Sequence, residues 1–229
     1  MNWREFWNGT HSIYVNERHR ALHYDRIAKD IASLVTSPDA SVLDYGCGEA
    51  ESADIVARRC GMHYLYDSAP NVQARLRVRF GRNDKIVVLS SEALEAMTDH
   101  SLDVFVANSV IQYLTHKEFE ALLDLAKRKL KPEGRLVVAD VIPESATFID
   151  DTRALLSFAL HGGFLFPALA GLTATMFSEY RKLRQEIGLT RYAQQDIETL
   201  FAAHGYRAER ASTNIGHNQS RMMFVATPL

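Results

Sequence analysis

The chain has 229 residues, 47% of them apolar and 24% charged, with a formal net charge of −2. That size and balance suit a single domain with a sizeable core, and the near-neutral charge gives no broad footprint for nucleic acid, so no nucleic-acid partner is expected. The two cysteines, Cys47 and Cys60, have no paired or metal-like spacing; they read as reduced thiols of a cytoplasmic protein, and no metal site is expected. The opening Met1-Asn2-Trp3-Arg4-Glu5-Phe6-Trp7 lacks an apolar signal core, which predicts that the protein is not secreted.

In chain order, the segment from His11 to Val35 reads as helical, with Ile27, Ile31 and Leu34 on one face, and Ser37-Pro38-Asp39 stops it. Val42-Leu43-Asp44-Tyr45-Gly46-Cys47-Gly48-Glu49-Ala50-Glu51 follows. An apolar run ending in an acid, then Gly-x-Gly, then a helix-forming stretch predicts strand, tight loop and helix, where backbone can approach a nucleotide-like ligand. Glu51 stands where the dinucleotide pattern has its third glycine. Glu49, Glu51 and Asp54 are placed in or near the first helical turn, where they suit the helix dipole and would repel a pyrophosphate. An adenosine ligand with positive charge and no phosphate fits better, and S-adenosylmethionine is one.

Alternating patterns predict strand 42–45, helix 50–60, strand 62–66, helix 70–80, strand 85–89, strand 102–107, helix 116–130 and strand 135–140. Asp67 closes the second apolar run, roughly 20 residues after the first, where a carboxylate holds ribose hydroxyls. Ile86 to Leu89 closes in Ser90-Ser91-Glu92-Ala93, Leu102 to Ala107 exits in Asn108-Ser109, and Leu130-Lys131-Pro132-Glu133-Gly134 leads into Arg135 to Asp140. This ordered set resembles the motifs of class I S-adenosylmethionine-dependent methyltransferases of the small-molecule type, over about half the chain. Helix, strand, turn, strand at the end (194–201, 206–213, 222–226) resembles the antiparallel hairpin that closes that family's sheet. The expected fold is α/β: a Rossmann-like, seven-stranded, mostly parallel sheet with a C-terminal antiparallel hairpin, an N-terminal helix and a helical lid insertion. The expected organisation is one domain, 1–229, with a core of 36–143 and 193–229, a helical cap of 1–35 and a lid of 144–192.

From Ala154 to Ser178 there is no formal charge. By length this could span a membrane, but His161-Gly162-Gly163, Pro167 and Gly171 interrupt it. It is read as two lid helices over an apolar acceptor pocket, with no stable membrane span; service as a homodimer interface stays open.

The resemblance implies S-adenosylmethionine as cofactor and a small-molecule acceptor, with oxygen, nitrogen or carbon methylated. It implies cofactor contacts from Asp44, Gly46, Cys47, Gly48, Asp67 and Ser68, from Ser91 and Glu92 near adenine, and from Asn108 and Ser109 near the methionine half. Tyr24 is chosen as the N-terminal tyrosine that folds over the cofactor. Glu92 reads either as an adenine contact or as a cap of the following short helix. His161 and Tyr113 are candidate catalytic residues, Gln112 and His217 candidate substrate contacts. Tyr180, Arg181, Arg184 and Arg191 form a basic, aromatic end to the lid, read as an anion site or a solvated helix face. Two other readings remain: an NAD(P)-dependent oxidoreductase, and an S-adenosylmethionine-binding protein without turnover.

Overall fold

The structure is a computed structural model and describes residues 7–9, 14–175 and 189–229, without the side chains of 171–175. The elements are α1 (Glu17–Ser33), β1 (Ser41–Tyr45), α2 (Ala53–Ala57), β2 (Met62–Tyr66), α3 (Pro70–Phe80), β3 (Ile86–Val88), α4 (Ser91–Ala96), β4 (Leu102–Asn108), α5 (His116–Lys129), β5 (Leu130–Val141), α6 (Phe148–Gly162), α7 (Leu165–Thr175), α8 (Gln194–Ala203), β6 (Tyr206–Arg210) and β7 (Met222–Pro228). A 3-10 turn, Ile111–Tyr113, follows β4.

The strands form one seven-stranded sheet in the order β3-β2-β1-β4-β5-β7-β6. β1 to β5 are parallel, and β7 runs antiparallel to β5 and to β6. Alternate strand residues face opposite sides. Leu43, Phe105, Leu136 and Val138 join the core under α5 and α8, while Val42, Val104, Val106, Val137 and Ala139 pack with Ala28, Ile31 and Ala32 of α1. With both faces covered, the central strands are apolar almost throughout. The order reverses between β1 and β4, and ligands of such sheets bind beyond the strand ends at that switch point.

Several elements differ from expectation. The helix after the glycine loop is short: Ala50 has a φ of 40°, and α2 begins only at Ala53. Asp54 alone is therefore in its first turn. Glu49 pairs with Arg75 at 2.5 Å and Arg79 at 3.5 Å, and Glu51 with Arg20 at 3.0 Å. These acids are paired locally, which leaves Asp44 and Asp67 as the carboxylates that favour a cationic ligand. β5 begins earlier than expected, because Leu130 pairs with Leu102 before Arg135 pairs with Val104, leaving 131–134 as a bulge. α1 starts at Glu17, capped by the Asn16 side chain, which accepts from His19 N–H at 2.8 Å.

Among the described residues the apolar stretch breaks once, at Gly163, whose φ of 71° terminates α6; Pro167 and Gly171 lie inside α7. No helix among the described residues is long and apolar enough to cross a membrane. α6 and α7 pack on α1, with Ala159, Phe164 and Ala168 buried against Leu22 and the Phe164 ring stacked on His19 at 5.0 Å. Phe148, Ile149, Leu160, Phe166 and Leu169 are exposed.

Candidate active site

The loop after β1 is built around Gly46. Its φ is 75°, and a Cβ there would come within 2.4 Å of Val110 Cγ2. Glycine thus lets the chain turn beneath the β4 exit. The N–H groups of Gly46 and Cys47 both donate to Tyr66 O, at 2.7 and 3.1 Å, locking the β1 loop to the end of β2. There Asp67 Oδ2 accepts from Gly48 N–H at 3.1 Å and Oδ1 from Ala69 N–H at 2.8 Å. Gln73 fixes the Asp67 carbonyl at 2.7 Å. Each Asp67 oxygen keeps acceptor capacity beyond these bonds.

Above the loop, Tyr24 Oη of α1 accepts from Glu49 N–H at 3.2 Å and lies 3.3 Å from the position of a Cβ on Gly48. On the β3 side, Tyr66 Oη and Ser91 Oγ are 3.2 Å apart. These groups open on a cavity of about 910 Å³. Of the sequence-predicted residues, Tyr24, Gly46, Cys47, Gly48, Asp67, Ser68, Ser91, Asn108, Ser109, Gln112 and Tyr113 line it. Asp44 lines a smaller pocket of about 40 Å³ beneath, shared with Tyr24, Gly46, Cys47 and Asn108.

The charge pattern favours a cation. Asp44 is only 7% exposed; burial and then the charge of Asp67 push its carboxyl up to about 7. Burial also raises Asp67, against the two N–H donors that lower it. Two acids held up in this way gain from a positively charged ligand. The same burial and the same two acids push the Cys47 thiol upward, which argues against a thiolate nucleophile. His19 and His23 are lowered to about 4 and about 3 by burial and by neighbouring histidines, so α1 brings no imidazolium to the wall at neutral pH.

Three predicted residues lie elsewhere. His161 is exposed on α6, and its Nδ1 sits 2.8 Å from Ser157 O of its own helix; the apolar surround expected for it faces α1 instead. Glu92 is exposed in the first turn of α4. Its carboxyl is lowered by backbone and Ser90 hydrogen bonds, so it caps that turn. His217 stacks on Phe158 at 4.6 Å and lies 6.1 Å from His23, outside the cavity wall. Among the described residues, the 144–192 segment contributes nothing to the lining. Its Arg191 ties back to Glu144 O and Ala146 O at 3.3 and 3.1 Å. Tyr180, Arg181 and Arg184 lie outside the described residues.

The far wall comes from residues that sequence reasoning passed over. Glu118, Ala121, Leu122, Leu125 and Arg128 of α5 line the cavity, as do Tyr45, Tyr66 and Asp140. Asp140 carried a signal: like Asp44 and Asp67, it ends an apolar strand run.

These features define a class I methyltransferase fold with its nucleoside-type loop intact. A methyltransferase-domain profile matches residues 43–138, and that segment belongs to the S-adenosylmethionine-dependent class I methyltransferases. Among curated relatives, the ribosomal protein L11 methyltransferase of Burkholderia vietnamiensis is 28% identical over 123 residues, covering 53% of this chain and 38% of that one. The arsenite methyltransferase of Halobacterium salinarum is 27% identical over 128 residues, covering 53% and 32%. The chain thus spans about a third of the length of these relatives. Among solved structures, magnesium protoporphyrin IX methyltransferase from Synechocystis with bound S-adenosylmethionine is 15% identical, with a TM-score of 0.56 over 99% of this chain and 89% of that one. The pyocyanin biosynthetic protein PhzM is 14% identical, with a TM-score of 0.60 over 92% and 56%. At such identities the structural likeness concerns the fold.

Proposed function

We propose that this chain transfers a methyl group from S-adenosylmethionine to a small-molecule acceptor bound in the same cavity. The observation that carries this is the single cavity of about 910 Å³ running from Asp67 past the β1 loop to Gln112 and α5. Small-molecule sites typically occupy about 300–1,000 Å³, and this cavity lies at the upper end of that range. The fold neighbours named for porphyrin methylation and pyocyanin biosynthesis support a small-molecule acceptor. Because the lining among the described residues includes α5 and the turn after β4, the acceptor wall is assigned there.

Bound S-adenosylmethionine supplies a methyl already activated on a sulfonium. Asp67 accepts from ribose hydroxyls with its remaining lone pairs. Ser68 and Ser91, with Tyr66, border the adenine end. Gly46, Cys47 and Gly48 let backbone approach, and Asp44, Asn108 and Tyr24 hold the charged amino-acid end. Gln112 and Tyr113 position the acceptor while α1 and α5 exclude water. The organisation we favour keeps 36–143 and 193–229 as the core of one domain, working in the cytoplasm. The closing β6–β7 hairpin and the missing third glycine speak against the NAD(P) oxidoreductase reading.

The test is S-adenosylhomocysteine release, followed by mass spectrometry, with panels of phenols, amines and carboxylic acids beside a ribosomal protein fraction. Turnover on small molecules is the expected result. Methylation confined to protein would overturn the acceptor class, and cofactor binding without turnover on either panel would favour a non-catalytic protein.

A further inference from the structure

The carboxyl ends of β4 and β5 carry a polar pair to which the donor contacts assign no proton chemistry. Ser109 and Asp140 both lie in the left-handed backbone region, each with a φ of 58°. Non-glycine residues rarely adopt it, and they do so where surrounding bonds hold a side chain in one aim. Such bonds are present. Ser109 N–H donates to Ala139 O at 3.1 Å, and Asp140 N–H donates to Asn214 Oδ1 at 2.9 Å. Ser109 Oγ–H then donates to Asp140 Oδ2 at 2.7 Å. Arg221 Nε lies 3.8 Å from Asp140 Oδ1, and the same guanidinium holds Asp151 at 2.6 Å.

Both members of the pair line the large cavity. An ionised carboxylate only accepts hydrogen bonds. With its proton committed to Asp140, Ser109 Oγ presents lone pairs alone to the cavity. On the same wall Gln112 is 5% exposed, and its Oε1 has no partner; Asn108 Oδ1 is likewise buried without one. This end of the cavity is therefore acceptor-rich and complementary to a ligand that brings donors or positive charge.

The geometry points to Ser109 and Asp140 as the pair that faces the transferring methyl and takes up the acceptor's proton, for a hydroxyl or amine nucleophile. The assignment rests on the reading of the cavity as a methyl-donor and acceptor site. In the step, a lone pair on the acceptor oxygen or nitrogen forms the bond to the methyl carbon. The carbon–sulfur bond breaks, and its electron pair stays on sulfur, which becomes a thioether. The acceptor's proton moves to Ser109 Oγ as Ser109 gives its own to Asp140 Oδ2, and the carboxyl later returns it to water. Ser109 touches the acceptor; Asp140 acts through it as a positioning residue.

Calorimetric titration tests this without a known acceptor. The probes are S-adenosylhomocysteine and sinefungin, in which a carbon-borne ammonium stands in place of the methylsulfonium. The proteins are wild type, Asp140→Asn and Ser109→Gly. Asparagine and glycine both tolerate left-handed backbone, so the fold is kept. Sinefungin is expected to bind wild type at least about tenfold tighter than S-adenosylhomocysteine, through a charge-assisted hydrogen bond. Asp140→Asn should bring that ratio to about 1, leaving S-adenosylhomocysteine affinity within about twofold, and Ser109→Gly should reduce the ratio too. An unchanged ratio in Asp140→Asn overturns the assignment, as does an equal loss for both probes. Failure of wild type to bind S-adenosylhomocysteine at all would instead remove the cavity reading beneath it.

Discussion

Asp44→Asn is expected to make the ligand-free protein more stable than wild type at pH 8 while removing the pH dependence of methyl-donor binding. The folded-state carboxyl titrates at about 7, against about 3.9 in an unfolded chain. Between those values the folded protein holds a proton that the unfolded chain has lost, so wild-type stability falls as pH rises from about 4 to about 7 and levels above. Asparagine carries no charge to bury and lacks that slope. The advantage of the variant is about 1 kcal/mol at pH 5 and on the order of 2–4 kcal/mol at pH 8. Binding moves the opposite way. The α-ammonium of the donor's amino-acid end needs Asp44 ionised, so wild-type affinity climbs by up to about tenfold per pH unit below 7 and then levels. The variant binds weakly at every pH. Urea unfolding and S-adenosylhomocysteine titration at pH 5, 6, 7 and 8 check both halves, and parallel stability curves for the two proteins would refute the assignment.

The second large effect is at Gly46. An alanine methyl would meet Val110 Cγ2 at 2.4 Å, on a backbone with φ of 75°. Left-handed backbone costs about 1–2 kcal/mol for an alanine, and overpacking adds about 1–3 kcal/mol. Valine relieves little of this, because its branched Cβ leaves few rotamers. Gly46→Ala is therefore expected to lose about 2–5 kcal/mol of stability. It should also lose donor binding, since the N–H groups of Gly46 and Cys47 on Tyr66 O must shift. Adding Val110→Ala removes the clash but not the backbone cost, so the double variant should recover part of the stability, a coupling of about 0.5–3 kcal/mol. Strictly additive losses would show that Val110 does not set the limit.

Much of this site is written in the strand endings. Asp44, Asp67, Asn108 and Asp140 each close an apolar run, and in a parallel sheet those ends share one edge. Three of the four were legible as ligand contacts, while Asp140 was read only as the end of a strand, because its role depends on a 2.7 Å contact with Ser109, 31 residues away in sequence. The roles given to Glu49 and Glu51 did not survive: helical pattern alone cannot show that Arg75, Arg79 and Arg20 arrive to pair with them. His161 failed for a related reason. Composition showed an apolar neighbourhood, but only packing decides that α6 turns its buried face to α1 and leaves that imidazole outside. The α5 wall was invisible as a site because Leu122 and Leu125 obey the same helical spacing as ordinary core.

In the proposed function the β1 loop and Asp67 hold S-adenosylmethionine. Calorimetric titration of S-adenosylhomocysteine at pH 8 into wild type and Asp67→Ala, each first shown folded by thermal unfolding, tests it most directly. Saturable binding to wild type, weakened at least about a hundredfold in the variant by loss of charged hydrogen bonds, is the predicted result. No binding to wild type, or equal affinity in the two proteins, would contradict it.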